Sequence, residues 1–477
     1  MEKDFDPSTE RAALAPEDTQ VHPGKKWPQY VAAISATLSA AVGGTCLAWT
    51  SPALPMLPFN NQQGSWVGSL LSLGAIPGAA MAGTLTHAIG PKPAIAALAV
   101  PFLISYIIIA SVQDLWAIYA ARIIAGLALG GVVVAVPIYV AEIAEDSVRG
   151  TLGSILQVMF NVGILFANAV GAAKNYAALA WSSAALAVAA LGLILLMPES
   201  PRCLLARGKL DEAQLSLQWL RGTPQVTQEL ANMTEVVERE REEQRASSFR
   251  ELVSMPAMKR ALIISIGLVV IQQLSGINVV FLYTQRIFKD AGSSMTPSTC
   301  SIVVAVVMLL FSQIAAPLSD KAGRRILLLT SAIAMSISLA SLGGYFQAKE
   351  SPPSEGNDHL ASLTWLPLTT VIAYLCAYLL GFGPLPWAVM AEVLPPTAKG
   401  PAGAIVASAC WILSFIATKC FQDLVEALGT AAAFFLFAGF SFLGAVFVFF
   451  LLPETKGKSL EQIQSQLALG FRVRSSS

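Results

Sequence analysis

The run ALIISIGLVVIQQLSGINVVFLYTQRI, residues Ala261–Ile287, decides the fold. Its one charged side chain is Arg286, near the end. A helix that crosses a bilayer takes about 20 apolar residues, and this run exceeds that. In its middle stand three amides, Gln272, Gln273 and Asn278. Polar side chains at that depth are costly and mark functional positions. On an ideal helix Gln272 and Asn278 point about 120° apart. They share one cavity more easily if the helix loosens around Ser275-Gly276, and glycine permits that.

Working outward, eleven more apolar runs of comparable length appear. They are Tyr30–Thr50, Trp66–Thr86, Ala94–Val112, Leu115–Val140, Leu152–Ala172 and Ala178–Met197 before it, and Thr299–Leu318, Ile326–Phe346, Leu366–Met390, Ala402–Cys420 and Ala431–Leu452 after it. The composition agrees with a membrane class: 55% of the 477 residues are apolar and 13% charged. Soluble domains carry about twice that share of charge. The formal net charge is zero, so nothing points to nucleic acid. Cys46, Cys203, Cys300, Cys376, Cys410 and Cys420 show no metal-ligand or CxxC spacing and read as small apolar helix residues. No hydrolytic or redox constellation accompanies them, so an enzyme is not expected and neither is a cofactor.

The spans fall as six, a gap, then six. The expected organisation is a polar tail over 1–26, a six-helix half over 27–200, a charged helical linker over 201–259, a second half over 260–453 and a tail over 454–477. Within the linker, Thr227–Arg245 has helical composition with dense charge and cannot lie in lipid. Lys and Arg favour one face: Lys25, Lys26, Lys92, Arg149, the linker, Arg324, Arg325, Lys456 and Lys458 share it. By the positive-inside rule both termini are cytoplasmic. The cell surface is the expected location, with an endosomal or lysosomal membrane as the alternative.

The halves repeat. Ala141-Glu142-Ile143 with Arg149-Gly150 echoes Ala391-Glu392-Val393 with Lys399-Gly400 at identical spacing. Pro198-Glu199-Ser200 echoes Pro453-Glu454-Thr455, and Gly90-Pro91-Lys92 sits where Gly323-Arg324-Arg325 sits in the second half. Two parallel six-span repeats are a transporter signature, with a site between the halves near mid-membrane.

Candidate site residues follow from depth. Gln157 and Asn161 lie one turn apart in span five, and amides offer both donor and acceptor to the hydroxyls of a neutral polyol. Their other use is to hold helices together. In span ten, Gly381-Phe382-Gly383-Pro384-Leu385-Pro386-Trp387 breaks a helix, and Trp387 offers a flat apolar face with a polar edge. Trp411 in span eleven is a candidate for the same cavity. Tyr139, Phe281 and Tyr283 read equally as gates or as packing. Glu142, Arg149, Glu199, Arg202, Asp320, Arg324, Arg325, Glu392 and Glu454 cluster at the linker end and fit an inner gate of ion pairs as well as topology-setting charge.

Taken together, Arg122-x-x-x-Gly126, Glu142 with Arg149-Gly150, Pro198-Glu199-Ser200-Pro201-Arg202, Gln272 to Asn278, Asp320 with Gly323-Arg324-Arg325, Gly383-Pro384-Leu385-Pro386-Trp387 with Glu392, and Pro453-Glu454-Thr455-Lys456-Gly457 form one pattern. The chain resembles the sugar porters of the major facilitator superfamily, and among them the facilitative glucose and trehalose transporters of animals. The resemblance implies an all-α membrane protein of twelve helices in two halves. It implies alternating access, with a sugar held at Gln157, Gln272, Gln273, Asn278 and Trp387. It also makes the linker an intracellular helical domain. Three departures stand out: the first-half loop reads Gly90-Pro91-Lys92-Pro93, and Met308 and Cys410 stand where the family commonly has asparagine. Span one carries no carboxylate where proton-coupled relatives usually have aspartate, which leads to the expectation of facilitated diffusion of a hexose or trehalose. The alternatives are a sugar sensor that does not transport, or a carrier of another polyol or a less polar solute.

Overall fold

In the computed structural model, the described residues are 25–246, 255–293, 295–350, 363–458 and 460–469. They form helices and no strand. Among them twelve helices are long and apolar enough to cross a membrane: Trp27–Met56, Asn61–Ile89, Pro91–Ser111, Leu115–Ile143, Arg149–Gly171, Tyr176–Leu196, Pro256–Ala291, Pro297–Ala315, Arg324–Glu350, Leu366–Val393, Gly400–Leu428 and Thr430–Leu451. We number these spans one to twelve. Each overlaps an apolar run legible in the sequence, and several reach a turn or more beyond it. Span two begins at Asn61 because Asn60 and Gln63 form a capping box, which satisfies two end donors that lipid cannot.

Three spans are broken. Span one ends its first helix at Ala48 and continues as Thr50–Ala53 and a 3-10 turn over Leu54–Met56. Span seven stops at Leu274 and restarts at Ile277, with Gly276 in the left-handed region at φ 85°. Span ten stops at Leu380 and restarts at Leu385. Both glycine-bearing breaks fall where the sequence places them.

Two large buried clusters organise the core. One is built almost wholly from residues 32 to 220, the other from residues 258 to 467. Within the first, spans two and four approach to backbone contact. A Cβ at Gly126 would stand 2.1 Å from the Leu71 carbonyl oxygen, so only glycine fits there. The linker forms Pro201–Ala206, Leu210–Arg221 and Thr227–Ala246. It docks on the first cluster through Arg221, which donates to the Ile143 carbonyl at 3.0 Å and to Glu229 at 2.6 Å.

Candidate functional site

The break in span seven displays its amides to neighbouring backbone and side chains. Gln272 Nε2 donates to the carbonyls of Phe382 at 2.6 Å and Gly383 at 3.1 Å, with the Tyr378 hydroxyl 3.3 Å away. These carbonyls are free because the span-ten helix has stopped there, so one break satisfies the other. Gln273 Nε2 donates to Cys410 Sγ at 3.0 Å. Asn278 Nδ2 donates to Gln273 Oε1 at 2.6 Å and to Ser414 Oγ at 2.7 Å. Gln272 and Gln273 are buried and Asn278 is half-buried. The two ends of the run are thus brought together through Gln273, with Gly276 between them.

Gln157 is half-buried and donates to Asn161 Oδ1 at 3.4 Å. Asn161 Nδ2 in turn lies 3.5 Å from the Met308 carbonyl of span eight. Trp411 belongs to the first buried cluster although it sits on span eleven, and Trp387 packs against that cluster from span ten. Both indoles therefore stand at the boundary between the two sets of spans. At about 1.5 Å rise per residue, Asn278, Ser414 and Asn161 lie roughly 15–20 Å from the ends of their helices farthest from the linker. That is near the middle of a bilayer core of about 30 Å.

The two sets are joined by hydrogen bonds from that far end inward. Arg286 donates to Asn61 at 3.0 Å, Gln62 to Asp423 at 2.5 Å, Ser65 to the Lys419 carbonyl at 2.9 Å, and the Gln285 backbone N–H to Ser51 at 3.2 Å. Deeper, the hydroxyls of Ser72 and Ser414 meet at 2.7 Å. Tyr283, whose backbone leaves helical values at φ −117° and ψ 15°, stacks obliquely on Phe421 in the same region. Tyr139 instead packs at the linker end and donates to the Pro198 carbonyl at 2.8 Å.

At the linker end the charges divide into three uses. Arg324 and Glu392 form an inter-helix ion pair at 3.0 Å, and Arg202 pairs with Glu240 of the linker. Arg149 pairs with Asp146 three residues earlier, in its own turn, at 2.7 Å. Glu454 accepts the backbone N–H groups of Arg324 at 3.1 Å and Arg325 at 3.2 Å. Its repeat mate Glu199 accepts the N–H of Lys92 at 3.2 Å. These two carboxylates cap helix N-termini, where the partial positive charge favours an anion. Gly90 and Gly323 make room for them, with φ of 95° and 90°. Burial holds the Glu199 carboxyl above the usual carboxylate range. Glu142 and its counterpart Glu392 each keep one buried carboxylate oxygen without a hydrogen-bond partner among the described residues. The first-half loop offers Pro91 where the second half offers Arg324. Arg325 donates to the Phe449 carbonyl at 2.6 Å. The Asp320 side chain lies outside the described set.

Sequence reading missed Arg122 as a buried anchor. It donates to the carbonyls of Val67 at 3.0 Å and Cys46 at 2.9 Å and to Thr50 Oγ1 at 3.1 Å, under the face of Trp49. Neutral acceptors satisfy it where span one breaks. Ser414 and Tyr378 were missed as well, since a lone hydroxyl in an apolar helix carries no signal of its own. Among the described residues no three His, Cys, Asp or Glu side chains come together to hold a metal ion.

A family model described as sugar (and other) transporter matches residues 20–467. The facilitated trehalose transporter Tret1 of Aedes aegypti is 38% identical over 463 residues, covering 94% of this chain and 56% of that protein. Trehalose transporter 1 of Drosophila melanogaster is 39% identical over 460 residues, covering 94% of this chain and 53% of that one. The chain thus spans about half the length of these relatives. Among solved structures, the inward-open xylose transporter XylE from E. coli superposes with a TM-score of 0.76 at 23% identity, over 92% of this chain and 99% of that one. The proton:xylose symporter XylE bound to 6-bromo-6-deoxy-D-glucose gives 0.72 at 24% identity, with the same coverage. These likenesses establish the major facilitator fold.

Proposed function

The chain belongs to the sugar transporter family, and from that premise we propose that it is a uniporter that carries a neutral sugar, hexose or trehalose, across the membrane by alternating access. The observation that carries this reading is the amide cluster Gln272, Gln273 and Asn278. It stands at the break of span seven, near mid-depth, and bonds Cys410, which neighbours Trp411 in sequence and against whose buried cluster Trp387 packs. Amides and indoles suit hydroxyls and the apolar faces of a sugar ring, whereas a charged solute would need fixed counter-charge.

The same reading divides the chain into two six-helix halves, 27–200 and 260–453, that rock about this site. The bonds from Arg286–Asn61 inward to Ser72–Ser414 are then an outer gate in its shut state. At the inner end, Arg324–Glu392 joins spans nine and ten and Arg202–Glu240 lies within the linker, so these pairs brace that end without crossing between the halves. The linker end faces the cytoplasm, both termini are cytoplasmic, and the membrane is the plasma membrane. Facilitated diffusion, and not proton coupling, is supported by Arg122, which neutral acceptors satisfy with no carboxylate bonded to it among the described residues.

Uptake of labelled trehalose and hexoses into proteoliposomes tests the proposal, with Gln272→Ala as the control. Saturable uptake that the variant loses supports it. Correctly folded protein with no saturable flux of any sugar overturns it. Tight sugar binding without counterflow would instead identify a sensor.

A further inference from the structure

Asn161 is fully buried, near mid-depth, on the face of span five that meets span eight. An asparagine amide can donate two hydrogen bonds and accept two. Here Nδ2 reaches the Met308 carbonyl at 3.5 Å and Oδ1 receives Gln157 at 3.4 Å. Both contacts lie well beyond the favoured 2.9–3.0 Å, where such bonds are weak. Seven residues on, Asn168 takes the local alternative and donates to the Ile164 carbonyl of its own helix at 2.9 Å. Asn161 instead extends across the boundary between the two sets of spans. A buried amide so loosely held is costly unless something else completes its bonding.

The residue it faces sharpens the point. Met308 is buried and presents an apolar side chain, so at this level span eight supplies only backbone. The polar group available to a solute here comes from span five. We propose that Asn161 is a further sugar-contacting residue, with Gln157 at its back, that takes a hydroxyl of the bound sugar in place of the Met308 carbonyl. One amide both donates to and accepts from such a hydroxyl, which fits a neutral polyhydroxylated ligand. Selectivity among sugars then depends on where a second hydroxylated ring or arm reaches span five. This inference rests on the transport reading above.

The test uses the full chain in proteoliposomes: the unaltered protein, Asn161→Val, Asn161→Ser and Asn161→Val with Met308→Asn. KM, maximal rate and the melting temperature of sugar-free protein are measured for each. Asn161→Val is expected to raise KM about fivefold or more, the equivalent of one lost hydrogen bond, without lowering the melting temperature. Adding Met308→Asn restores an amide from the other side of the same contact, and recovers at least half of the loss on a logarithmic scale. Asn161→Ser is expected to fall between, and decides the matter should the valine variant fail to fold. An unchanged KM, or a lower melting temperature at unchanged KM, overturns the inference and identifies Asn161 as helix packing alone. Failure of the unaltered protein to transport any sugar overturns the transport reading and this inference with it, which keeps the two failures distinct.

Discussion

The hydroxyl oxygens of Ser72 and Ser414 lie 2.7 Å apart, both buried, one from span two and the other from span eleven. Ser414 also accepts from Asn278, which donates to Gln273, whose amide nitrogen lies 3.4 Å from the Gln272 oxygen, and Gln272 holds the open carbonyls of span ten. One polar chain therefore runs from the boundary between the halves to the break in span ten. A solute that competes for Asn278 pulls on the same chain that joins spans two and eleven.

Ser72→Ala removes one end of that junction and leaves the other hydroxyl buried. Ser414 keeps the bond from Asn278, so the loss is one hydrogen bond, worth about 0.5–1.5 kcal/mol. The expected result is about a fivefold rise in the population open at the end opposite the linker. Spin labels at the exposed positions Trp116 and Leu428 would report it as a longer distance component. An unchanged distribution would mean that the serine pair does not bias the equilibrium.

Gln272→Ala strips the Phe382 and Gly383 carbonyls of their donor. It removes a support for the broken helix together with an amide of the proposed sugar site. A rise in KM of tenfold or more is expected, along with a lower melting temperature. Sugar-dependent thermal stabilisation, compared with the unaltered protein, reads both effects. A variant that melts lower yet keeps its KM would confine Gln272 to helix support.

Two glycines should behave oppositely. Gly126→Ala drives a Cβ to 2.1 Å from the Leu71 backbone oxygen, whereas Gly150→Ala meets nothing within 4 Å. Overpacking of this kind costs about 1–3 kcal/mol or more. Gly126→Ala should lower the melting temperature markedly or abolish monodisperse protein, while Gly150→Ala should leave both intact. Equal behaviour would contradict the close approach of spans two and four.

Cys203, at the start of the linker, has its thiol pushed up to about 11, first by burial and then by the Glu199 carboxylate. The thiolate is the reactive form. With the other cysteines replaced, alkylation of Cys203 should be slow at neutral pH and quicken about tenfold per pH unit toward that value. Glu199→Gln removes the charge that disfavours the thiolate, so the midpoint should move down. A midpoint that stays in place would separate Cys203 from Glu199.

Much of this arrangement is legible in the sequence, for identifiable reasons. Gly276 and the Gly381-Phe382-Gly383-Pro384 run announce the breaks in spans seven and ten because backbone freedom is written into residue type. The repeat pairs Glu199 with Glu454, and in the structure they cap the N-termini of spans three and nine, equivalent helices of the two sets. Partners across helices are a different matter. Nothing in the sequence says that Ser414 meets Ser72, that Asn161 reaches Met308, or that Arg149 turns back to Asp146, because those facts depend on which faces meet. The break in span one was not read from the sequence although Thr50-Ser51-Pro52 and Pro55 mark it, and Arg122, which holds it, lies on another span.

The most direct measurement is the time course of labelled trehalose and hexose entry into proteoliposomes under an imposed pH gradient. A facilitative carrier predicts a saturable initial rate and a plateau at which internal and external sugar concentrations are equal, unmoved by the gradient. No saturable entry of any sugar by folded protein, or a plateau driven above the external concentration by protons, would contradict the account.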